Sequence, residues 1–211
     1  MSSRDDSLMQ VVKTSPVIPV ITIESASDAV PLARALLKGG IATIEIALRT
    51  PAATEAARAI IAEVPKMSVG IGTVLTPQSL AEAKAMGARY ALSPGATPEL
   101  LEAAASGDFP YIPGVATASD VMAAVVSGFS VLKFFPAENA GGIAALRALA
   151  GPFPATRFCP TGGINEKNFR IWLAEPNVVA VGGSWLAPVA DIAAGRWDAI
   201  TARARAATGA A

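Results

Sequence analysis

The sequence contains no histidine and only one cysteine, Cys159. These two residue types supply most zinc and transition-metal ligands, and a lone cysteine cannot form a disulfide within its own chain. We therefore expect no metal site, and we interpret Cys159 as an unreactive thiol in a strand. This cysteine usage is typical of a reducing compartment, which predicts a cytoplasmic location.

Charged residues are also scarce, at 16% of the chain, and the 17 lysines and arginines balance the 17 aspartates and glutamates. A chain without net charge has no overall field that attracts nucleic acid or an anionic membrane. Glycine, proline or charge interrupts every apolar stretch before the ~18 residues that a membrane span needs, and the N-terminus lacks the features of a secretion signal. We expect a small-molecule substrate as partner, with no nucleic acid and no membrane.

What the chain has in abundance is apolar residues, at 52% of 211, and these follow a repeated pattern. Short β-rich runs alternate with alanine-rich amphipathic stretches eight times. The predicted strands are residues 17–23, 43–47, 68–72, 90–93, 111–113, 131–134, 157–160 and 178–181, and helices begin near residues 26, 51, 77, 98, 118, 142, 165 and 189.

Because the predicted strands are continuously apolar, both faces of their sheet should be covered, and eight such units can close into a parallel barrel. The sequence thus predicts an α/β fold, a (β/α)8 TIM barrel, as one domain over residues 1–211. A doubly wound open sheet is the alternative, but no Gly-x-Gly-x-x-Gly run follows the first strand.

Local signals refine this prediction at the helix starts and at both termini. Thr50, Thr76 and Thr97 each precede a proline, and a threonine N-cap followed by proline is typical of a helix start. Within residues 1–15 we expect an extra helix, from Arg4 to Lys13, that covers the amino ends of the strands. Residues 203–211 are expected to be a frayed tail.

One lysine, Lys133, lies inside an apolar strand, in the run VLKFFP at 131–136. Burial removes hydration from an ammonium group and favours the neutral amine, which can form a Schiff base with a carbonyl carbon. The structural alternative is a lysine that extends to solvent or pairs with Glu45.

A glutamate occupies a similar place in the run IEIALRT at 44–50. Burial of Glu45 would favour the protonated carboxyl that general acid-base catalysis uses, and Arg49 offers a guanidinium fork for a carboxylate. An ion pair of Glu45 with Arg49 or Lys133 is the structural alternative.

Glycine pairs follow the last two predicted strands, in TGGIN at 161–165 and GGS at 182–184. Paired glycines let backbone amides approach a ligand, and the loops after strands seven and eight are the usual phosphate site of TIM barrels. We therefore expect Gly162, Gly163, Gly183 and Ser184 to bind phosphate. A plain turn is the alternative.

Three further residues lie where other predicted strands end. Thr73 could donate a hydrogen bond to a substrate carboxylate or only cap its loop, and Pro94 and Phe135 are expected to form walls of a pocket.

Six motifs in this order resemble the 2-keto-3-deoxy-6-phosphogluconate (KDPG) and 4-hydroxy-2-oxoglutarate aldolase family, and the resemblance extends from Pro16 to Ser184. They are IEIALRTP with Glu45 and Arg49, GIGTVL with Thr73, SPG at 93–95, PGVAT at 113–117, KFFPAE with Lys133, and PTGGI at 160–164.

The resemblance implies a cytoplasmic class I aldolase of the Entner–Doudoroff pathway, a homotrimer that uses no metal and no cofactor. Lys133 would form the Schiff base and Glu45 would move protons. Arg49 and Thr73 would hold the pyruvyl carboxylate, Thr161 would contact the substrate chain, and the two glycine loops would take the phosphate. The products would be pyruvate and glyceraldehyde 3-phosphate.

Several alternatives remain open from the sequence. The substrate could be the galactonate epimer or 4-hydroxy-2-oxoglutarate, because these aldolases share the lysine and glutamate. A phosphate-binding barrel isomerase or synthase, or a non-catalytic phosphometabolite-binding barrel, would share the glycine loops. The isomerase or synthase explains Lys133 with Glu45 and Arg49 less well, and in the binding barrel Lys133 would only pair with Glu45.

Overall fold

Helices alternate with parallel strands along the chain in a computed structural model, which describes residues 8–12 and 15–209. The strands are β1 (Val17–Ile21), β2 (Thr43–Ala47), β3 (Ser68–Gly72), β4 (Tyr90–Leu92), β5 (Tyr111–Ile112), β6 (Gly114–Val115), β7 (Val131–Phe134), β8 (Arg157–Phe158) and β9 (Val181–Gly183). The helices are α1 (Ala29–Lys38), α2 (Ala53–Glu63), α3 (Pro77–Ala85), α4 (Pro98–Ala105), α5 (Ala118–Val126), α6 (Gly142–Ala150), α7 (Phe169–Leu173), α8 (Val189–Ala193) and α9 (Trp197–Thr208), and a 3-10 turn (Ala26–Asp28) precedes α1.

The strands form a six-stranded sheet in the order β5-β4-β3-β2-β1-β9 and a three-stranded sheet in the order β6-β7-β8. Every pairing between neighbouring strands is parallel. The prediction of an α/β fold with parallel strands is therefore confirmed.

The predicted fifth strand is divided in the structure by Pro113, which lacks an amide hydrogen and cannot donate to a neighbour. Its carbonyl still accepts a hydrogen bond from Lys133 N at 2.9 Å. The last predicted strand is displaced toward the C-terminus, since Val178 forms only an isolated bridge to Phe158.

Two of the three predicted threonine caps are confirmed. Thr76 Oγ1 accepts a hydrogen bond from Ser79 N at 3.1 Å, and Thr97 Oγ1 accepts one from Leu100 N at 3.3 Å. The cap at Thr50 was wrong, because α2 has Ala52 as its N-cap. The Thr50 hydroxyl instead donates to the carbonyl of Ile23 at 2.5 Å, which ties the loop after β2 to the end of β1.

Residues 8–12 are helical, and two of their side chains pack against the strands. Leu8 belongs to a buried cluster with Tyr90, Leu92, Ile112 and Val131. Val12 packs in a second cluster with Ile18, Cys159 and Ala180. Residues 1–7 and 13–14 of the predicted N-terminal helix lie outside the described residues, so a helix over residues 1–15 stays a prediction.

The C-terminal segment differs from the frayed tail expected at residues 203–211, because α9 continues to Thr208. Ala204 and Ala207 are buried in the main core, and Arg203 Nε donates to the carbonyl of Leu186 at 3.2 Å. Small alanines let α9 lie close to α1, an effect of packing that a local pattern does not reveal. Residues 210–211 lie outside the described part of the chain.

Side chains alternate between the two faces of each strand, and both faces are buried. Leu132 and Phe134 of β7 lie in the main hydrophobic core with helix residues, whereas Val131 lies in the smaller cluster with Tyr90. Across residues 8–12 and 15–209, no helix combines the length and the apolar character that crossing a bilayer requires.

The smaller cluster contains a polar contact that holds three strands together. The Tyr90 hydroxyl lies 2.7 Å from Thr43 Oγ1 and 3.3 Å from the carbonyl of Ile44, and Thr43 Oγ1 also donates to the carbonyl of Ser68 at 3.2 Å. Burial raises the pKa of the Tyr90 phenol well above its usual value of 10.0.

We expect the stability advantage of the wild type over Tyr90→Phe to shrink at alkaline pH. The raised pKa means that the unfolded state loses the Tyr90 proton first, so stability is lost as pH rises above about 10. The free energy of unfolding of the wild type should exceed that of Tyr90→Phe by about 1 kcal/mol at pH 9. By pH 11 the difference should have fallen to near zero, because the unfolded wild type is then stabilised by loss of the Tyr90 proton.

Urea unfolding of both proteins at pH 9, 10 and 11 measures this difference, and the groups that the two proteins share cancel in the comparison. If the difference in unfolding free energy between the two proteins stays constant from pH 9 to pH 11, the pKa of Tyr90 is not raised by folding.

Candidate active site

The two charged residues predicted for catalysis lie on strands of different sheets, Glu45 on β2 and Lys133 on β7. On β2, Ile44 and Ile46 face the main core, so Glu45 points to the opposite face. On β7, Leu132 and Phe134 face the main core, so Lys133 points the same way as Val131. Alternation along two strands thus directs both side chains away from the main core.

Lys133 and Glu45 form a buried ion pair there. Lys133 Nζ donates to Glu45 Oε1 at 2.8 Å, and the two side chains are 4% and 1% exposed. The second carboxylate oxygen, Glu45 Oε2, is buried and has no hydrogen-bond partner among the described residues. The pair therefore retains a free acceptor, which is costly unless the site uses it.

A glycine on β3 leaves the space that the Glu45 carboxylate occupies. A Cβ placed on Gly72 would clash directly with Glu45 Oε1, and it would lie 2.7 Å from Glu45 Cδ. Gly72 is the last residue of β3 and pairs with Ala47 of β2. The absence of a side chain at this position therefore allows Glu45 to reach Lys133.

Beside the pair lies a cavity of about 440 Å³, at the carboxyl ends of the strands. Val20, whose Cα pairs with that of Glu45, lines it, and so does Phe135, whose ring centroid is 5.6 Å from Lys133 Nζ. Seven of the predicted site residues line this cavity: Arg49, Phe135, Thr161, Gly162, Gly163, Gly183 and Ser184. The structure thus brings the predicted phosphate and carboxylate residues together.

Arg49 is the one charged side chain among the described residues that line the cavity. Its Nε donates to Thr73 Oγ1 at 3.3 Å, which places the predicted carboxylate ligands next to each other. Thr73 has a φ of 62°, a left-handed conformation that costs free energy for a residue with a branched side chain. Such strain is common at functional sites and here turns the loop after β3 toward Arg49.

Thr161 also lines the cavity and is 5% exposed. Its hydroxyl is buried and forms no hydrogen bond within the described residues. A Cβ on Gly182 would lie 2.3 Å from this hydroxyl, so Gly182 provides the room that the threonine side chain uses. Thr161 therefore lines the cavity, while its buried hydroxyl lies against Gly182 and beside the Cys159 thiol.

Pro94 is not among the described residues that line this cavity. Its carbonyl group lies against Gly114, where a Cβ would come within 2.4 Å of the Pro94 oxygen. Gly114 pairs with Lys133 across β6 and β7. Pro94 thus lies against the strand next to the lysine, and its role as a pocket wall stays a prediction.

Two residues that line the cavity, Trp185 and Thr22, were not predicted from the sequence. Trp185, directly after Ser184, lines the cavity, and its ring lies so close to Gly183 that a Cβ there would overlap it. Thr22, just beyond β1, also lines the cavity. Both follow the end of a strand, which is the signal that could have found them.

Cys159 lies near the ion pair but is buried at 1% exposure. Burial raises the pKa of this thiol to about 12, which agrees with the unreactive thiol expected from the sequence. In the part of the chain that the structure describes, histidine, cysteine, aspartate and glutamate side chains nowhere gather in threes that could hold a metal ion.

Comparison with known proteins identifies the family of this chain. The family model described as KDPG and KHG aldolase matches residues 8–203. The chain is 49% identical over 205 residues to the KHG/KDPG aldolase of Escherichia coli (strain K12), covering 97% of this chain and 96% of that protein. It is 50% identical to the 2-dehydro-3-deoxy-phosphogluconate aldolase of Dickeya dadantii (strain 3937), with the same coverage.

A solved structure is similar throughout. It is the KDPG aldolase of Legionella pneumophila with pyruvate captured at low pH as a covalent carbinolamine intermediate. The TM-score is 0.92 at 48% identity, and the match covers 94% of this chain and 96% of that one. By its sequence and its structure, the chain belongs to the KDPG and KHG aldolase family.

Proposed function

We propose that this chain is a class I aldolase that reversibly cleaves KDPG to pyruvate and D-glyceraldehyde 3-phosphate through a Schiff base on Lys133. The observation that carries the proposal is the buried Lys133–Glu45 pair at 2.8 Å, set beside a cavity with one cationic side chain and two glycine loops. The relatives named above support the substrate class.

The pair holds the groups that imine formation needs. Transfer of one proton from Lys133 Nζ to Glu45 gives a neutral amine next to a carboxylic acid. The amine adds to the 2-oxo carbon of the substrate to form a carbinolamine. Glu45 then returns its proton to the carbinolamine hydroxyl, which leaves as water and yields the protonated imine.

The same carboxylate can serve the carbon–carbon cleavage. Glu45 takes the proton of the C4 hydroxyl, the C3–C4 bond breaks, and its electron pair moves into the imine to form an enamine while the aldehyde leaves. Proton return to C3 and addition of water then release pyruvate and regenerate the lysine. The imine accepts the electron pair, so the proposed reaction uses no metal and no cofactor.

The cavity residues supply orientation for this chemistry. Arg49 can pair with the carboxylate next to the 2-oxo group, and Thr73, which its Nε contacts, can add a hydrogen bond. The free hydroxyl of Thr161 can bond to a hydroxyl of the substrate chain. We assign the phosphate to Gly162, Gly163, Gly183 and Ser184, whose backbone amides and hydroxyl can donate to it.

The choice among related substrates rests on these same groups. Four phosphate-binding positions favour a phosphorylated substrate over 4-hydroxy-2-oxoglutarate, and Thr161 favours the gluconate-derived stereochemistry over the galactonate epimer. A non-catalytic barrel that only binds phosphometabolites explains the glycine loops, but it leaves Glu45 Oε2 without a purpose.

We further propose that the two sheets are parts of one closed (β/α)8 barrel and that residues 1–211 are one domain, with a helix in residues 1–15 covering its amino end. Two observations support closure. Only Pro113 separates β5 from β6, and the bridges Phe158–Val178 and Thr161–Gly182 link the strand regions of β8 and β9. The buried thiol of Cys159 supports a cytoplasmic location.

The Schiff base is tested by incubation with pyruvate and borohydride. Wild-type protein is expected to gain one reduced pyruvate adduct, located on Lys133 by peptide mass spectrometry. Lys133→Ala should form no adduct and lose cleavage activity by roughly a thousandfold or more. The matched control is Lys66→Ala, which removes an exposed lysine and should leave both the adduct and the activity unchanged. Folded wild-type protein that forms no adduct would favour the binding-barrel or isomerase alternatives.

The role of Glu45 is tested by Glu45→Gln, which keeps a hydrogen-bond acceptor for Lys133 but cannot take its proton. Turnover should fall by ~10²- to 10⁴-fold, because general acid-base catalysis contributes on that scale. Borohydride should still trap some adduct, since the nucleophile remains. The exposed Glu55→Gln serves as control, and wild-type turnover in Glu45→Gln would remove Glu45 from the mechanism.

We propose that the protein assembles as a homotrimer, and the exposed apolar face of α5 supports a contact between copies. Met122 and Val126, which are neighbours on this helix, are 58% and 88% exposed. Light scattering should give three chain masses for the wild type. Val126→Asp should shift the population toward the monomer, because a charge cannot be desolvated in an apolar contact.

A wild-type monomer rejects the trimer. An intact trimer in Val126→Asp rejects this face as its interface.

A further inference from the structure

Glu138, four residues after β7 ends at Phe134, contacts the back of the predicted phosphate loop. Its Oε1 accepts hydrogen bonds from Trp172 Nε1 at 3.0 Å and from Asn168 Nδ2 at 2.9 Å. Its amide donates to the carbonyl of Gly162 at 3.1 Å. One residue thus connects β7, the loop after β8 and helix α7.

The same residue occupies the space behind the second glycine of the loop. Gly163 has a φ of 81°, and a Cβ there would lie 2.5 Å from Glu138 Cγ. Asn168, held by Glu138, donates a second hydrogen bond to the carbonyl of Gly163 at 3.2 Å. The conformation of Gly162 and Gly163 is therefore fixed from behind by contacts with Glu138 and Asn168.

The carboxylate of Glu138 faces away from the cavity. Glu138 is not among the described residues that line the cavity, whereas Gly162 and Gly163 are. The indole of Trp172 is fully buried, so its N–H needs an acceptor, and Glu138 supplies it. The Glu138 carboxylate thus bonds to Asn168 and Trp172 behind the loop, away from the predicted phosphate position.

We propose that Glu138 is a positioning residue that sets the preference of this enzyme for a phosphorylated substrate by holding the amides of Gly162 and Gly163 in place. The proposal rests on the proposed function and deepens it. Glu138 acts through the loop and has no part in imine formation, because Lys133 and Glu45 contact each other without it. It should therefore affect the two substrate classes differently.

The experiment compares KDPG with 4-hydroxy-2-oxoglutarate, which lacks the phosphate. For Glu138→Ala, kcat/KM on KDPG should fall roughly tenfold to a hundredfold, mainly through KM, because a small displacement of binding groups has effects of this size. On 4-hydroxy-2-oxoglutarate it should stay within about twofold. Glu138→Gln keeps the acceptor oxygen and should restore the wild-type preference.

Two further variants complete the design. Asn168→Ala removes the donor to both Glu138 and Gly163 and should produce the same substrate-dependent loss, which keeps the test valid if Glu138→Ala does not fold. Glu102→Ala, an exposed glutamate on α4, should leave both activities unchanged. Borohydride trapping of pyruvate on Lys133 should be equal in all variants.

An equal loss on both substrates, no loss on either, or a failure of Glu138→Gln to restore the preference would overturn the positioning role. Failure of the proposed function itself shows separately, as a wild-type protein that forms no adduct and cleaves neither substrate.

Discussion

The structure of the site depends on one interaction, the buried ion pair between Lys133 and Glu45. Removing two charges from water costs several kcal/mol per ion, and the mutual attraction offsets this only with good geometry. Here the hydrogen bond is 2.8 Å long. It joins residues of two strands that are 88 positions apart in the sequence. The arrangement requires the parallel sheets, the alternation of side chains and the empty space at Gly72.

Two glycines leave space for polar side chains of the site. Glu45 lies against Gly72, and Thr161 lies against Gly182, so glycines on β3 and β9 provide the volume that the functional side chains occupy. Larger side chains at these positions would displace the Glu45 carboxylate and the Thr161 hydroxyl. The core therefore combines close packing near the amino ends of the strands with reserved space near their carboxyl ends.

The loops around the cavity are supported from behind by contacts between segments distant in sequence. Thr50 ties the loop after β2 to the end of β1, Thr73 contacts Arg49, and Glu138 links the glycine loop to Trp172. Binding groups on loops need such support, because an unsupported loop would lose binding free energy when it becomes ordered on the ligand.

Much of this could be predicted from the sequence, since each successful prediction rested on local chemistry. The threonine caps at Thr76 and Thr97, the lysine in an apolar strand and the glycine pairs each carry their signal within a few residues. The cap at Thr50 and the tail from Arg203 were mistaken, because the Thr50 hydroxyl bonds to the carbonyl of Ile23 and α9 packs on α1. Tertiary contacts outweighed the local preference in both cases.

The sequence by itself determined the parallel α/β architecture and the residues that we propose for the chemistry, because periodicity and residue type are local properties. Only the tertiary structure decided which residues meet. It paired Lys133 with Glu45 rather than Glu45 with Arg49, brought Thr73 next to Arg49, and placed Glu138 behind Gly163. Strand register and side-chain volume fix these distances, and neither can be read from a single segment of the chain.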